Sequence, residues 1–246
     1  MDLIFDFAAL TGAVWLGHVI AYVAMGLALD YWNRRNPARR IQKLRRGEAR
    51  RAAEIRQSLR ALVPISALMA GGLVAQIHGL VLWQADLSLW QGLGMLVVTL
   101  ILFDAWFYWA HRAMHLPKLY KYHRVHHQSK APTVWSTYSD HPIDAVAHQA
   151  FLLLAPLILP IPPWVLIAHR AIDHVNGTIG HAGFEYFAAP GARRPSPGLC
   201  TTFHDQHHER FTVNYGNFLS IWDRMMGTIS TDYDEQVQAR EREERA

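Results

Sequence analysis

Long apolar runs separated by short polar stretches set the first expectation. Residues 10–29, 61–83 and 87–103 carry no Asp, Glu, Lys or Arg. Each is close to the length of helix that crosses a hydrocarbon core, about 20 residues. The third run continues past one carboxylate, Asp104, to Ala110. A fourth apolar region, 145–169, is interrupted by Pro156, Pro160, Pro162 and Pro163. Interior prolines remove a helical hydrogen bond and clash with the preceding turn, so this region is expected to turn at 160–163. It would form a hairpin, with one arm over about 143–159 and the other from Trp164 toward His181. The expected fold is all-α: an integral membrane helical protein with about three full spans, a proline-broken hairpin or two short spans, and a helical cap. The expected organisation is N-terminal membrane helices over 1–95 with a basic loop at 33–60, a catalytic domain over 96–232, and a charged tail over 233–246. The tail alternates Glu and Arg and reads as a solvated, fraying helix.

Charge sharpens this picture. The 246 residues sum to +4, but residues 34–60 hold eleven Arg and Lys against two Glu. The rest of the chain is therefore net acidic. A basic run can signal nucleic acid. Between two spans it is better read as a cytoplasmic loop under the positive-inside rule, with no nucleic-acid partner expected. An N-terminus without a basic segment or cleavage site reads as a retained span rather than a signal peptide. A hairpin returns the chain to the side it left, so everything after residue 110 is expected on the cytoplasmic side.

The candidate chemistry is imidazole. There are fifteen histidines and one cysteine, Cys200, which excludes a disulfide framework and a CxxC zinc knuckle. Eight of the histidines form three groups: His111 and His115; His123, His126 and His127; His204, His207 and His208. On a helix the spacings i, i+3 and i+4 share a face, so each group is expected to project together. Neutral imidazole is the commonest nitrogen ligand for zinc, iron and copper. Eight exceed what one tetrahedral ion accepts, so two ions are expected. Asp104, Tyr108, His111 and His115 form one helical stripe. An intramembrane carboxylate is costly unless partnered, and Asp104 is expected to accept a proton from the far nitrogen of a ligating ring. For all three groups to meet, the chain must cross the membrane an even number of times between His127 and His204, which the hairpin allows.

These motifs, with Ser139-Asp140-His141-Pro142-Ile143-Asp144, Asn214-Tyr215-Gly216 and Trp222-Asp223-Arg224, resemble the fatty acid hydroxylase / sterol desaturase superfamily. The resemblance covers about 103–228. It implies a membrane-bound, O2-dependent di-iron oxygenase that hydroxylates or desaturates an unactivated carbon of a fatty acyl chain, sterol or carotenoid. It implies two iron ions, which zinc can replace in isolated protein. It also implies electrons from a ferredoxin or cytochrome b5-type donor with an NAD(P)H reductase. Carried over residue by residue, the ligands are His111, His115, His123, His126, His127, His181, His204, His207 and His208. Some members have another histidine four or five residues before His181, where this chain has Gly177 and Asn176. His174, two turns before His181, is the expected tenth ligand, with Asn176 as its rival or as a neighbour of the ligands. Tyr108, His141 and Asp223 are expected beside the ligands, Asp223 orienting one of them and Arg224 binding Asp223 or a lipid headgroup. His148 and His169 read as core histidines of the hairpin, or as the wall of a substrate path. His18 and His78 are given no catalytic role. The aromatic run 106–109 reads as an interfacial belt or a channel wall. A membrane metal transporter or sensor is the rival reading. It is disfavoured because its ligands would be expected at the bilayer midplane, not after span ends. A zinc hydrolase needs only about three ligands.

Overall fold

A computed structural model describes residues 2–245, with side chains to residue 243. Ten α-helices follow in order: α1 (Leu3–Arg35), α2 (Arg51–Ile77), α3 (Leu89–Met114), α4 (Tyr120–His123), α5 (Pro142–Gln149), α6 (Phe151–Ile158), α7 (Pro163–Gly180), α8 (Thr201–Arg210), α9 (Ile221–Met226) and α10 (Tyr233–Arg245). Two isolated β-bridges are the sole extended pairings among the described residues. The fold is all-α, and α1, α2 and α3 are each long and apolar enough to cross a membrane.

The spans begin and end where capping chemistry allows. Asp2 accepts from the amides of Ile4 and Phe5 at the start of α1. Ser88 and Gln91 form a capping box at the start of α3, satisfying amides that the first turn leaves without partners. All three helices exceed their uncharged stretches, because a helix continues until its hydrogen bonds are stopped and not until its charge changes. The second span differs most from expectation. It starts at Arg51 and ends at Ile77, after which Gly79 adopts φ +69° and reverses the chain. Its polar first turns are held by the cap: Glu54 accepts from the hydroxyls of Ser129 and Thr133.

The central helix is α2, packed by α1, α5 and α6, while α3 packs on α7 and α5. Two glycines permit close crossings. A Cβ at Gly72 would lie 2.3 Å from the Leu152 carbonyl oxygen, and one at Gly92 would lie 2.2 Å from the Trp164 ring. Small residues bring helix backbones together in this way where water supplies no driving force. Exposed Ile4, Leu16, Ile20 and Leu27 on α1, and Val97, Val98 and Ile101 on α3, leave apolar outer faces. The hairpin forms as α5 and α6, a turn over 159–162, and α7.

The basic loop is stitched to the cap. Ile41 donates its amide to the Gly183 carbonyl and Glu185 its amide to that of Arg39. Gln42 Nε2 donates to Asp205 and to the Pro132 carbonyl, and Arg45 pairs with Asp205 at 2.5 Å. The loop and the histidine-bearing segments thus share one end of the bundle. The tail corrects its expectation. Helix α10 is docked, with Tyr233 and Val237 fully buried, Tyr233 edge-on to Phe203, and Glu241 paired with Arg193 at 2.7 Å. Its alternating charges conceal one apolar stripe, 233 and 237, at helical spacing.

Candidate metal centre

Nine histidines converge from four segments into two groups. His111, His115, His123, His127 and His207 form the first; His126, His181, His204 and His208 form the second. Within each group the donor atoms lie within 4.8 Å of one another. Each HxxHH segment divides between the groups, contrary to the expectation of one shared face. His123 and His127 face the first group and His126 the second; His204 and His208 face the second and His207 the first. The second segment makes this division across the end of α4 and a 3-10 turn at His126–Gln128. On α8 the split is regular geometry, since i and i+4 point nearly together while i+3 is displaced around the axis.

The rings meet through Nε2. His111 and His123 approach to 3.1 Å, His127 and His115 to 3.2 Å, and His207 and His127 to 3.1 Å. In the second group His181 lies 3.1 Å from His126 and 2.9 Å from His204, which lies 3.1 Å from His208. These contacts are not all hydrogen bonds. Nδ1 of His111 faces the carbonyl oxygen of Tyr215 at 2.9 Å, and Nδ1 of His123 faces Asp144 Oδ2 at 2.8 Å. A carbonyl or carboxylate oxygen can only accept, so each Nδ1 carries the proton and each Nε2 a lone pair. Two lone pairs 3.1 Å apart in a buried site repel unless a cation lies between them. For metal–nitrogen bonds of about 2.1 Å, edges of 2.9–3.2 Å correspond to angles of about 90–100°, whereas a tetrahedron has edges of about 3.4 Å. Contacts of this length are those of donors that share one cation, and each group could hold one ion.

Four of the far nitrogens are hydrogen-bonded by the chain itself. Besides His111 and His123, His181 Nδ1 donates to the Gly177 carbonyl and His207 Nδ1 to the Val213 carbonyl, both at 2.7 Å. His126 Nδ1 lies 2.7 Å from Asp140 Oδ1. Burial, reinforced by neighbouring imidazoles, pushes the His115 and His181 rings down to about 3. The same causes hold His127, His204, His207 and His208 well below the usual imidazole range. These six rings are thus neutral at neutral pH, the form that binds a metal.

Other expected residues lie elsewhere. His174 joins neither group: its Nδ1 bonds the Tyr138 hydroxyl at 2.6 Å and its ring stacks on Tyr138. Two turns of α7 separate it from His181 along the axis, which takes it out of reach. Asp104 does not touch a ligand; its Oδ1 accepts the amides of Phe218 and Leu219. Tyr108 bonds Thr228 and Arg112, while His141 caps α5 by accepting from Ile143. Asn176 donates to Asn217. Asp223 acts one step removed from the ligands. It accepts the amides of Tyr215 and Gly216 and the Thr228 hydroxyl, fixing the segment whose carbonyl receives His111. Arg224 pairs with Asp234 of α10, not with Asp223. His18 bonds Ser66 and Arg170, and His78 bonds Asp6. His169 is buried between Phe103 and Phe151.

Asp140 and Asp144 were passed over as supports of the ligands. Two carboxylates flanking His141-Pro142 at the edge of an apolar run were the available signal. The three carbonyl supports had none, because a backbone oxygen leaves no mark on the sequence.

A cavity of about 540 Å³ lies against the histidines, walled by His111, His123, His126, His148, His181 and His204 at one side and by Ile65, Phe107, Ala145, Val175 and Phe218 elsewhere. Its lining includes Ile172, Val175 and Phe187, which are exposed on the outer surface. The aromatic run divides: Phe107 walls the cavity and Trp109 is exposed.

Residues 96–228, which span every one of these histidines, match the family model described as Fatty acid hydroxylase. The chain belongs to the fatty acid hydroxylase / sterol desaturase superfamily. It is 31% identical to human lathosterol oxidase over 182 residues, 72% of this chain and 60% of that protein. It is 32% identical to a Delta(7)-sterol 5(6)-desaturase of Gibberella zeae over 144 residues, 57% of this chain and 39% of that protein. A Delta(7)-sterol 5(6)-desaturase of Leptosphaeria maculans is 32% identical over 133 residues, 54% of this chain and 36% of that protein. The matches thus span 36–60% of the length of these relatives. No solved structure matches the chain.

Proposed function

We propose that this protein is a membrane-bound, O2-dependent di-iron oxygenase that hydroxylates or desaturates an unactivated carbon of a neutral lipid, with a sterol-like molecule as the favoured substrate. The observation that carries this reading is the pair of Nε2-lined groups beside an apolar cavity. The names of the relatives support a sterol-like substrate over a fatty acyl chain or carotenoid. When bound, a pair of irons would supply the oxidising chemistry that an unactivated C–H bond requires and that no side chain offers.

The residues of the chain perform the rest. His111, His115, His123, His127 and His207 would hold one ion, and His126, His181, His204 and His208 the other. Carbonyls of Tyr215, Val213 and Gly177 keep the protons of three rings on Nδ1, so that Nε2 stays free to bind. Asp144 does the same service for His123, and Asp140, with Oδ1 2.7 Å from His126 Nδ1, adds a second negative charge next to the cage. Burial of His111, His123, His207 and His208 excludes bulk water from the reacting region. Exposed Ile172, Val175 and Phe187 at the cavity rim give a lipid lateral access, and Phe107 and Phe218 confine it near the histidines.

The basic loop docked on the cap supports a cytoplasmic site under the positive-inside rule. A ferredoxin or cytochrome b5-type donor with its NAD(P)H reductase would reach it there. The test is to purify the protein anaerobically with iron, count irons per chain, and supply O2, a reductase chain and host lipid extract. Two irons per chain and an oxidised lipid are expected. An intact protein holding two irons that yields no oxidised lipid would refute the proposal.

A further inference from the structure

The cavity wall carries a polar pair outside the two histidine groups, supplied by α5 and α7. Gln149 and Asp173 both stand on that wall, and each is only 6% exposed. Gln149 Nε2 donates to Asp173 Oδ2 at 3.1 Å. The carboxylate can only accept, so the amide nitrogen must face it. That leaves Gln149 Oε1 buried and without a partner.

The charge of Asp173 is matched from behind. Buried Arg170 donates to Asp173 Oδ2 at 2.8 Å and Asn217 to Oδ1 at 3.1 Å. Arg170 is also committed to the Tyr138 hydroxyl and to His18, and it is not part of the cavity wall. Arg170, Asn217 and the Gln149 amide nitrogen thus spend donors on Asp173, and Gln149 Oε1, on a residue that lines the cavity, is left as a buried acceptor without a partner. A buried acceptor without a partner is costly, and the ligand that relieves it must bring a hydrogen-bond donor. A carboxylate or phosphate headgroup would meet the Gln149 oxygen and the Asp173 carboxylate and be repelled. Asp173 and His181 are eight residues apart on α7, about 12 Å along the axis, so one lipid lying along this helix can reach both the polar pair and the cage.

We propose that Gln149 Oε1, backed by Asp173, receives a substrate hydroxyl, so that the cavity selects neutral lipid alcohols over fatty acids and phospholipids. This rests on the reading of the cavity as the substrate site. It adds a specificity-determining residue outside the histidine motifs.

Binding tests it without turnover. Iron-loaded full-length protein in detergent, under argon and without reductant, is titrated with cholesterol, cholesterol methyl ether, hexadecanol, hexadecyl methyl ether and palmitate. Each alcohol should outbind its ether by about tenfold, the scale of one buried hydrogen bond, and palmitate should bind more weakly than hexadecanol. Gln149→Met, which keeps the volume but removes the amide, should cost the alcohols about tenfold and leave the ethers unchanged. Equal binding of alcohol and ether to the unaltered protein, which requires no variant to fold, overturns the proposal. So does a Gln149→Met variant that weakens both alike, or palmitate binding more tightly than hexadecanol. A protein that passes this test yet oxidises no lipid loses the oxygenase reading and keeps this one.

Discussion

Replacing Asp144 by Asn should loosen one metal ion and spare the other. Asp144 Oδ2 sits 2.8 Å from His123 Nδ1, both groups are buried, and His123 belongs to the five-histidine group and not to the four-histidine group. The amide retains an oxygen that can accept from Nδ1 but removes the negative charge that raises the basicity of the ring. Loss of such a support costs about 10–100-fold in metal affinity, or about 1.4–2.8 kcal/mol at 1.4 kcal/mol per tenfold. Asp140→Asn is the mirror experiment, because Asp140 lies 2.7 Å from His126 in the four-histidine group. Iron-loaded variants are challenged with graded chelator, and retained iron is counted per chain by mass spectrometry. Each variant should release one ion at about 10–100-fold lower chelator strength while holding the second as tightly as the unaltered protein does. The double variant should release both early. If either single variant releases both ions together, or neither earlier, the assignment of these carboxylates to separate groups fails.

His174→Phe should leave two irons per chain, since His174 stacks on Tyr138 outside both groups; loss of an ion, read by metal analysis, would contradict its placement. Gly92→Ala should lower thermal stability in detergent by about 1–3 kcal/mol, the range for overpacking, because the added Cβ would sit 2.2 Å from Trp164. Tyr233→Ala should cost about 3–5 kcal/mol, as for large aromatic truncations, since the fully buried ring undocks α10 from Phe203; a tail that merely frays in solvent would show no change in melting temperature. For metal-free protein, His115 and His181 are pushed down to about 3. The unfolded chain therefore binds more protons than the folded one below about pH 6.5. Melting temperature should be flat with respect to these groups above pH 7 and fall as pH drops from about 6.5 toward 4; stability rising with acid would contradict their neutral burial.

Apolar length alone made the three spans legible, and Pro160, Pro162 and Pro163 marked the reversal between α6 and α7. Helix ends were misplaced because they depend on partners. Arg51 and Glu54 look like loop residues until Ser129 and Thr133 are seen to hold the acid. The histidine groups were visible as metal-binding spacing, but their sorting was not. A rule that i, i+3 and i+4 share a face treats an arc of about 100° as a single direction, yet that arc separates His207 from His204 and His208. Asp104 was misassigned for a related reason. An intramembrane carboxylate does need a partner, but two backbone amides of a distant loop serve as well as an imidazole, and backbone donors carry no signature in the sequence. Gln149 and Asp173 were invisible because their meaning comes from a cavity formed by two helices of the hairpin.

The two-to-one division of each HxxHH segment has a mechanical consequence. Were each segment devoted to one ion, the groups could shift relative to one another by sliding α8 past α4. Here α8 supplies His207 to one group and His204 and His208 to the other, while the turn after α4 supplies His126 to one and His123 and His127 to the other. Displacing either segment would strain both groups at once. The separation of the two sites is therefore set by backbone geometry within short, rigid elements, and not by the packing of long helices. This arrangement lets α1 and α3 meet a fluctuating lipid environment on exposed faces while the cage between α3, α7 and α8 keeps its dimensions. It also predicts that an alanine at His207 or His126 disturbs its own group first, whereas a proline at Asp205, inside α8, loosens both ions together. Retention of one tightly held ion by Asp205→Pro, measured by the same chelator titration, would show that the groups are not mechanically joined.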